Sequence, residues 1–154
     1  MKRLISFVLT LFAGYACAMF CRHLVLQNLI ENERLIIPNL LELTFVKNDG
    51  AAFGIFAGKT VLLSVITAAV LISIAVYVVI KRNAIATAEL ISLSLIVSGG
   101  ACNLYERLAY GYVVDYINIF ILPVFNFADM MVTCGCILLV AYVLFIEPKK
   151  QKHE

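Results

Sequence analysis

The chain has few charged residues and no tryptophan. Asp, Glu, Lys and Arg make up 14% of its 154 residues, whereas 63% of the residues are hydrophobic. A soluble domain is only about 45–50% apolar, so this composition argues against an ordinary soluble protein. The net charge of +2 is too small to suggest a nucleic-acid partner. Because the hydrophobic residues occur in long runs, we predict an integral membrane protein.

The chain also lacks the residue patterns of several common catalytic sites. Its two histidines, His23 and His153, are not expected near the serines of the apolar runs. The cysteines match neither a zinc spacing nor a disulfide framework, and we interpret them as small buried hydrophobic residues. They are Cys17, Cys21, Cys102, Cys134 and Cys136. We therefore predict no serine or cysteine nucleophile, no metal site and no cofactor.

Four apolar runs are long enough to cross a membrane as helices, since a span needs about 20 residues. They cover about 4–26, 60–80, 86–105 and 126–146. The chain begins like a secretory signal, with basic residues before an apolar run. That run continues past Cys17, however, and three further runs follow. We therefore interpret it as a first transmembrane helix.

Basic residues are concentrated at one set of segment ends. They are Lys2, Arg3, Lys81, Arg82, Lys149, Lys150 and Lys152. The positive-inside rule assigns such ends to the cytoplasm. Both termini are then predicted to be cytoplasmic, and the connections 27–59 and 106–125 to lie outside.

The two outer connections carry signals of extended structure. Residues 41–47 partly alternate between apolar and polar, which is typical of a half-buried strand, and Asn48-Asp49-Gly50 then predicts a tight turn. The second connection, 111–123, is rich in Val, Tyr, Ile and Phe. We predict an all-α polytopic membrane protein with four transmembrane helices and a small extracytoplasmic β-sheet, as one domain over 1–154.

Two aspartates, Asp115 and Asp129, lie at the edges of apolar segments. A carboxylate near hydrocarbon costs about 2.5–3.5 kcal/mol, so a functional reason is expected. If the two approach to about 4 Å, their repulsion at an effective dielectric of about 20 is near 4 kcal/mol. They then hold one proton between them over a wide pH range. Such a pair can activate a water and polarise a carbonyl, as acid/base catalysis requires.

The polar groups at the helix ends also have a purely structural explanation, which does not extend to Asp115. Asn126 fits the N-cap of the fourth helix, and Asp129 fits a first-turn acid facing the positive end of the helix dipole. Asn103, Glu106 and Arg107 share one helical face. They either face water at a helix end or form a network that orients a catalytic group.

Four short blocks occur at 48–54, 103–107, 111–116 and 125–129. They read Asn-Asp-Gly-Ala-Ala-Phe-Gly, Asn-Leu-Tyr-Glu-Arg, Gly-Tyr-Val-Val-Asp-Tyr and Phe-Asn-Phe-Ala-Asp. With the four spans, they resemble the signatures of the lipoprotein signal peptidase (signal peptidase II) family over nearly the whole chain. The resemblance implies an aspartic endopeptidase of the bacterial inner membrane. Such an enzyme removes the signal peptide from prolipoproteins by cutting before a diacylglyceryl-modified cysteine.

The resemblance also implies roles for individual residues. Asp115 and Asp129 correspond to the family's catalytic pair. Its supporting and substrate-facing residues correspond to Asn48, Gly50, Phe53, Asn103, Arg107, Asn126 and Ala128. The expected partners are prolipoprotein signal peptides and membrane lipid. We expect a monomer without a cofactor, with its active site near the outer face of the membrane.

The chain departs from the family pattern at several positions. The segment from Ala18 to Arg22 lacks the usual acid, and Arg22 stands near the usual lysine. Glu106 replaces an aspartate, and Cys102 replaces a glycine. Two alternatives stay open: a small proton- or cation-coupled transporter with the aspartates as ion ligands, and a catalytically inactive relative that binds lipoproteins.

Overall fold

The computed structural model describes residues 2–51 and 55–146. Within these ranges, four helices are long and apolar enough to cross a membrane. They are α1 (Lys2–Asn28), α2 (Thr60–Lys81), α3 (Thr87–Tyr110) and α4 (Phe127–Ala141), the last continued by a π-helical turn at Tyr142–Ile146. The four predicted helices are confirmed.

The third helix is longer than predicted. It continues beyond 105 to Tyr110 and stops where Gly111 adopts a left-handed conformation, with φ of 81°. The Gly111 amide then donates to the Arg107 carbonyl at 3.0 Å, a common way to end a helix. Asn103 and Glu106 therefore lie within α3, and neither is a frayed end in water.

Three strands form a small antiparallel sheet. They are β1 (Arg34–Ile37), β2 (Leu41–Asn48) and β3 (Val113–Asn118), in the order β1-β2-β3. The strand predicted at 41–47 is confirmed as β2, and the extended segment predicted within 111–123 contains β3. Sequence reasoning missed β1 because all four of its residues are exposed and no apolar–polar alternation marks it.

Helix α3 is the central helix and packs against α1, α2 and α4. Its serines are buried, and their hydroxyls are satisfied without water. Ser94 Oγ donates to the Leu90 carbonyl at 2.8 Å, and Ser98 Oγ lies within hydrogen-bond distance of carbonyls in α3 and α1. This back-bonding lets polar residues occupy the interior of an apolar bundle.

Glycines bring α3 and α4 into close contact. A Cβ added to Gly99 would lie 2.3 Å from the Ala128 carbonyl oxygen, and one at Gly135 would lie 2.7 Å from the Ser92 carbonyl oxygen. Small residues at such positions let two helix backbones approach closely. The contact at Gly99 seats the first turn of α4, which carries Asp129, against α3.

The interpretation of the cysteines as buried residues was wrong for most of them. All five are free thiols, and only Cys102 is buried, whereas Cys17, Cys134 and Cys136 are exposed. Cys17 and Cys136 lie on helix faces that no other element of the described chain covers, whereas Cys134 borders a cavity. In a membrane such faces contact lipid, where a cysteine is as acceptable as any small apolar residue.

We expect Gly99→Ala to weaken the α3–α4 packing. The new methyl group would meet the backbone oxygen of Ala128, and overpacking of this kind costs about 1–3 kcal/mol. Gly100→Ala is the matched control, because its Cβ would meet only the flexible end of the Leu71 side chain, at 2.9 Å. Thermal unfolding in detergent micelles should show a lower midpoint for Gly99→Ala than for Gly100→Ala. Equal midpoints would contradict the close contact.

Candidate active site

Asp115 and Asp129 are held at one end of the helical bundle by different elements. Asp115 lies in the middle of β3 and is 3% exposed. Asp129 lies in the first turn of α4 and is partly buried. The edge of the sheet and the start of a helix therefore bring together two acids that are separated in the sequence.

The structural explanation of Asn126 and Asp129 is correct. Asn126 is the N-cap of α4, and its Oδ1 accepts from the Asp129 amide at 2.9 Å. Asp129 Oδ2 accepts in return from the Asn126 amide at 3.1 Å. This reciprocal capping box fixes the Asp129 side chain but engages only one of its carboxylate oxygens.

The remaining oxygen of Asp129 belongs to a chain of amide side chains that leads to Asp115. Asn103 Nδ2 donates to Asp129 Oδ1 at 2.7 Å. Asn126 Nδ2 donates to Asp115 Oδ1 at 2.8 Å and lies 3.3 Å from Asn103 Oδ1. Two asparagines thus connect the two carboxylates, and every donor in the connection is neutral. Within the described residues, the carboxylates therefore share a hydrogen-bond network in which their side-chain donors are amides, and the nearby Arg107 guanidinium acts on them through its charge.

The second oxygen of Asp115 is held by the turn after β2. Asn48 Nδ2 donates to Asp115 Oδ2 at 2.7 Å, and Asn48 Oδ1 accepts from the Gly50 amide at 2.9 Å. Arg107 Nη2 donates to the Gly50 carbonyl at 3.0 Å, so α3 holds the same turn. Gly50 takes part through its backbone, and Asn48 and Arg107 through their side chains.

A cavity of about 520 Å³ opens onto both aspartates. Its polar lining includes Asn48, Asn103, Arg107, Asp115, Asp129 and Thr133. The residues 122–125 and the α4 residues Met130 and Val132 supply apolar lining. A volume of this size admits an extended peptide segment, and the mixture of apolar walls and a few convergent polar groups is typical of binding sites.

Burial raises the pKa of Asp115 from its ordinary value of 3.8 to about 6. The hydrogen bond from Asn48 opposes this effect, and the negative charge of Asp129 adds to it. Asp115 therefore retains a proton to a much higher pH than a carboxyl group in water does. A group that titrates near pH 6 is suited to general acid/base chemistry.

The structure brings together most of the residues singled out from the sequence. Asn48, Gly50, Asn103, Arg107 and Asn126 all join the network around the two aspartates. Phe53 lies outside the described residues. Ala128 is buried in the helix packing and does not line the cavity.

Three residues outside the predicted set of site residues also hold its elements together. Tyr116 Oη accepts from the Phe127 amide at 3.1 Å and so joins β3 to the start of α4. Glu106 accepts from the Val114 amide at 2.9 Å, and Arg22 pairs with Glu106 at 3.0 Å. The sequence predicted Glu106 as part of an orienting network with Asn103 and Arg107, and the hydrogen bond to Val114 agrees with that alternative, but the sequence did not indicate the pairing with Arg22. For Tyr116 the sequence offers no signal.

A family model described as signal peptidase (SPase) II matches residues 10–145. The chain belongs to the signal peptidase II family. The match covers most of α1 and all of α2, α3, α4 and the sheet. Family membership supports the conclusions that this chain is a bacterial inner-membrane protein and that it is a protease that processes lipoproteins.

Individual relatives agree with the family assignment. The chain is 46% identical to a lipoprotein signal peptidase of Clostridium acetobutylicum over 120 residues, covering 75% of this chain and 77% of the relative. It is 43% identical to that of Clostridium novyi over 114 residues, covering 71% and 76%. A bacterial membrane enzyme solved by the in meso method superposes with a TM-score of 0.81 at 29% identity, covering 90% of this chain and 87% of that chain.

The raised pKa of Asp115 has a consequence for stability that can be measured. The folded protein holds this proton more tightly than the unfolded chain, so the stabilisation is present below about pH 4 and is lost as the pH rises through about 6. The shift from 3.8 to about 6 corresponds to about 3 kcal/mol. In detergent, the unmodified protein should lose more unfolding free energy between pH 4 and pH 7 than Asp115→Asn does, and the difference should be close to this value. The same pH dependence in both proteins would contradict the raised pKa.

Proposed function

We propose that this member of the family removes the signal peptide from diacylglyceryl-modified prolipoproteins by cutting before the lipidated cysteine. Asp115 and Asp129 form its catalytic pair. The observation that carries the proposal is the connection through the neutral amides of Asn103 and Asn126, which holds both carboxylates at one cavity. Two acids held in this way can exchange one proton, as hydrolysis by a water molecule requires.

The mechanism follows from the different environments of the two acids. The ionised carboxylate takes a proton from a water that attacks the scissile carbonyl carbon, and the protonated carboxyl hydrogen-bonds to the carbonyl oxygen. The tetrahedral intermediate then collapses, and a proton passes to the departing amine. No covalent bond forms between enzyme and substrate. Because the donors around the pair are neutral amides, the negative charge can move between the carboxylates.

The supporting residues keep the pair in place. Asn48 and Asn126 each occupy one oxygen of Asp115, and Asn103 occupies one oxygen of Asp129. Arg107 acts indirectly, because it holds the Gly50 carbonyl and so the turn that carries Asn48. The contribution of Phe53 stays a prediction, and Ala128 contributes the close helix contact on which the position of Asp129 depends.

The substrate enters from the bilayer, and the diacylglyceryl group lies against apolar surface. The apolar lining at 122–125 and on α4 supports this arrangement. The described lining of the cavity comes from β2, α3, β3 and α4 of one chain, together with Ala51 and residues 122–125. We therefore propose a single domain over 1–154 that works as a monomer and needs membrane lipid and prolipoprotein as its partners.

The site faces the outer side of the membrane, and both termini are cytoplasmic. Arg3 donates to the carbonyls of Asn83 and Ile85, so the start of α1 lies beside the link between α2 and α3. That link carries Lys81 and Arg82 and is cytoplasmic by the positive-inside rule. The aspartates lie at the opposite end of α3, which supports an outer location.

A transporter would use the aspartates as ion ligands within the membrane. The capping role of Asp129 at a helix start and the position of Asp115 on a strand give that alternative no support. An inactive lipoprotein-binding relative would retain the fold and lack cleavage. An assay of the unmodified protein with a diacylglyceryl prolipoprotein distinguishes this inactive relative from an active peptidase.

We expect Asp115→Asn or Asp129→Asn to abolish prolipoprotein cleavage, with a loss of at least about 10³-fold, because each removes one member of the acid/base pair. Asp49→Asn is the matched control, since Asp49 is exposed and is the remaining aspartate of the chain. The measurement is the rate at which a diacylglyceryl prolipoprotein is cut by purified, folded protein. Normal turnover by either site variant would refute the catalytic assignment.

A further inference from the structure

Asp115 lies on an edge strand whose outward backbone groups need partners from outside the sheet. β2 pairs with one side of β3, and no strand of the described chain pairs with the other. The outward donors on either side of Asp115 are the amides of Val114 and Tyr116. The Tyr116 amide donates to the Phe125 carbonyl at 3.0 Å. No turn or loop carbonyl of the described chain accepts from the Val114 amide, although Val114 is fully buried.

A carboxylate fills this gap. Glu106 Oε2, from α3, accepts from the Val114 amide at 2.9 Å, and Glu106 is 4% exposed. Asp115 is therefore bracketed by two outward hydrogen bonds, one to Glu106 and one to Phe125. Because Val114 precedes Asp115 directly, any movement of the Val114 peptide also moves the Asp115 side chain relative to Asp129.

A buried carboxylate in turn needs a cation to remain charged. Arg22 Nε, from α1, lies 3.0 Å from Glu106 Oε2. The Arg22 guanidinium also lies over the Tyr110 ring, 4.5 Å from its centroid, which fixes its direction. Two of the residues that depart from the family pattern, Arg22 and Glu106, are therefore partners of each other. Neither lines the catalytic cavity.

We propose that Glu106, held in place by Arg22, is a positioning residue. Through the Val114 amide, it sets the position of the Asp115 carboxylate relative to Asp129 in the catalytic cavity. The inference rests on the proposed catalytic role of Asp115. The essential feature is a hydrogen-bond acceptor at the position of Glu106 Oε2, and the function of Arg22 is to keep that acceptor charged and oriented.

Two double variants separate the acceptor from the ion pair. Arg22→Met with Glu106→Gln removes both charges but keeps an oxygen that can accept from Val114. Arg22→Met with Glu106→Leu removes both charges and the acceptor. With a diacylglyceryl prolipoprotein as substrate, the Gln double variant should retain kcat within about threefold of wild type. The Leu double variant should lose about 100-fold in kcat, with KM nearly unchanged, because a small misplacement of a catalytic group costs about that much.

The split between kcat and KM distinguishes positioning from general damage to the fold. Equal kcat values for the two double variants would overturn the proposal. If the Leu double variant does not fold, Glu106→Asp provides a second test, since it keeps the charge but retracts the acceptor by about 1.5 Å. We expect that variant to lose about tenfold in kcat, and an unchanged kcat would also overturn the proposal.

Two controls complete the experiment. Glu89→Gln changes the other acid of α3, at the opposite end of the helix, and should leave kcat within about twofold. Asp115→Asn tests the proposed function separately. If Asp115→Asn cleaves normally, the catalytic assignment fails whatever the double variants do. If Asp115→Asn is inactive but the two double variants have the same kcat, the catalytic assignment stands and the positioning role fails.

Discussion

The burial of two neighbouring carboxylates is the constraint on which the rest of the site depends. Each acid loses solvation, and each repels the other, so the protein must supply donors that do not cancel the charge altogether. Neutral amides meet this requirement. Asn48, Asn103 and Asn126 donate to three of the four carboxylate oxygens, and the Asn126 backbone amide donates to the fourth. A direct arginine or lysine partner would stabilise the ionised form and oppose proton sharing.

This arrangement in turn constrains the fold. The three asparagines come from the end of β2, from α3 and from the start of α4, so these elements must meet at one place. The close contact of Gly99 with Ala128 brings α4 to α3, and the pairing of Val46 with Asp115 brings β2 to β3. Arg107 and Glu106 connect α3 to the turn at Gly50 and to β3. The polar end of α3 thus serves as the common support for both aspartates.

Much of the fold could be predicted from the sequence because its signals are local. Apolar length marks the four helices, alternation marks β2, and Asn126 with Asp129 forms a recognisable cap. β1 escaped prediction because it is a short exposed strand that takes its conformation from pairing with β2. The Arg22–Glu106 pair and the hydroxyl of Tyr116 also escaped, since both depend on contacts between elements distant in the chain. Family resemblance pointed to the two aspartates, but it could not show what connects them.

The central claim is that Asp115 and Asp129 titrate as one coupled pair. The chain contains three aspartates, so protein labelled with ¹³C at aspartate carboxyl groups gives few signals, and they can be assigned by variants. The Asp115 signal should titrate near pH 6 in the unmodified protein. In Asp129→Asn its midpoint should move to lower pH, because a neighbouring negative charge has been removed. A midpoint near the ordinary value of 3.8, or one that Asp129→Asn leaves unchanged, would contradict the account.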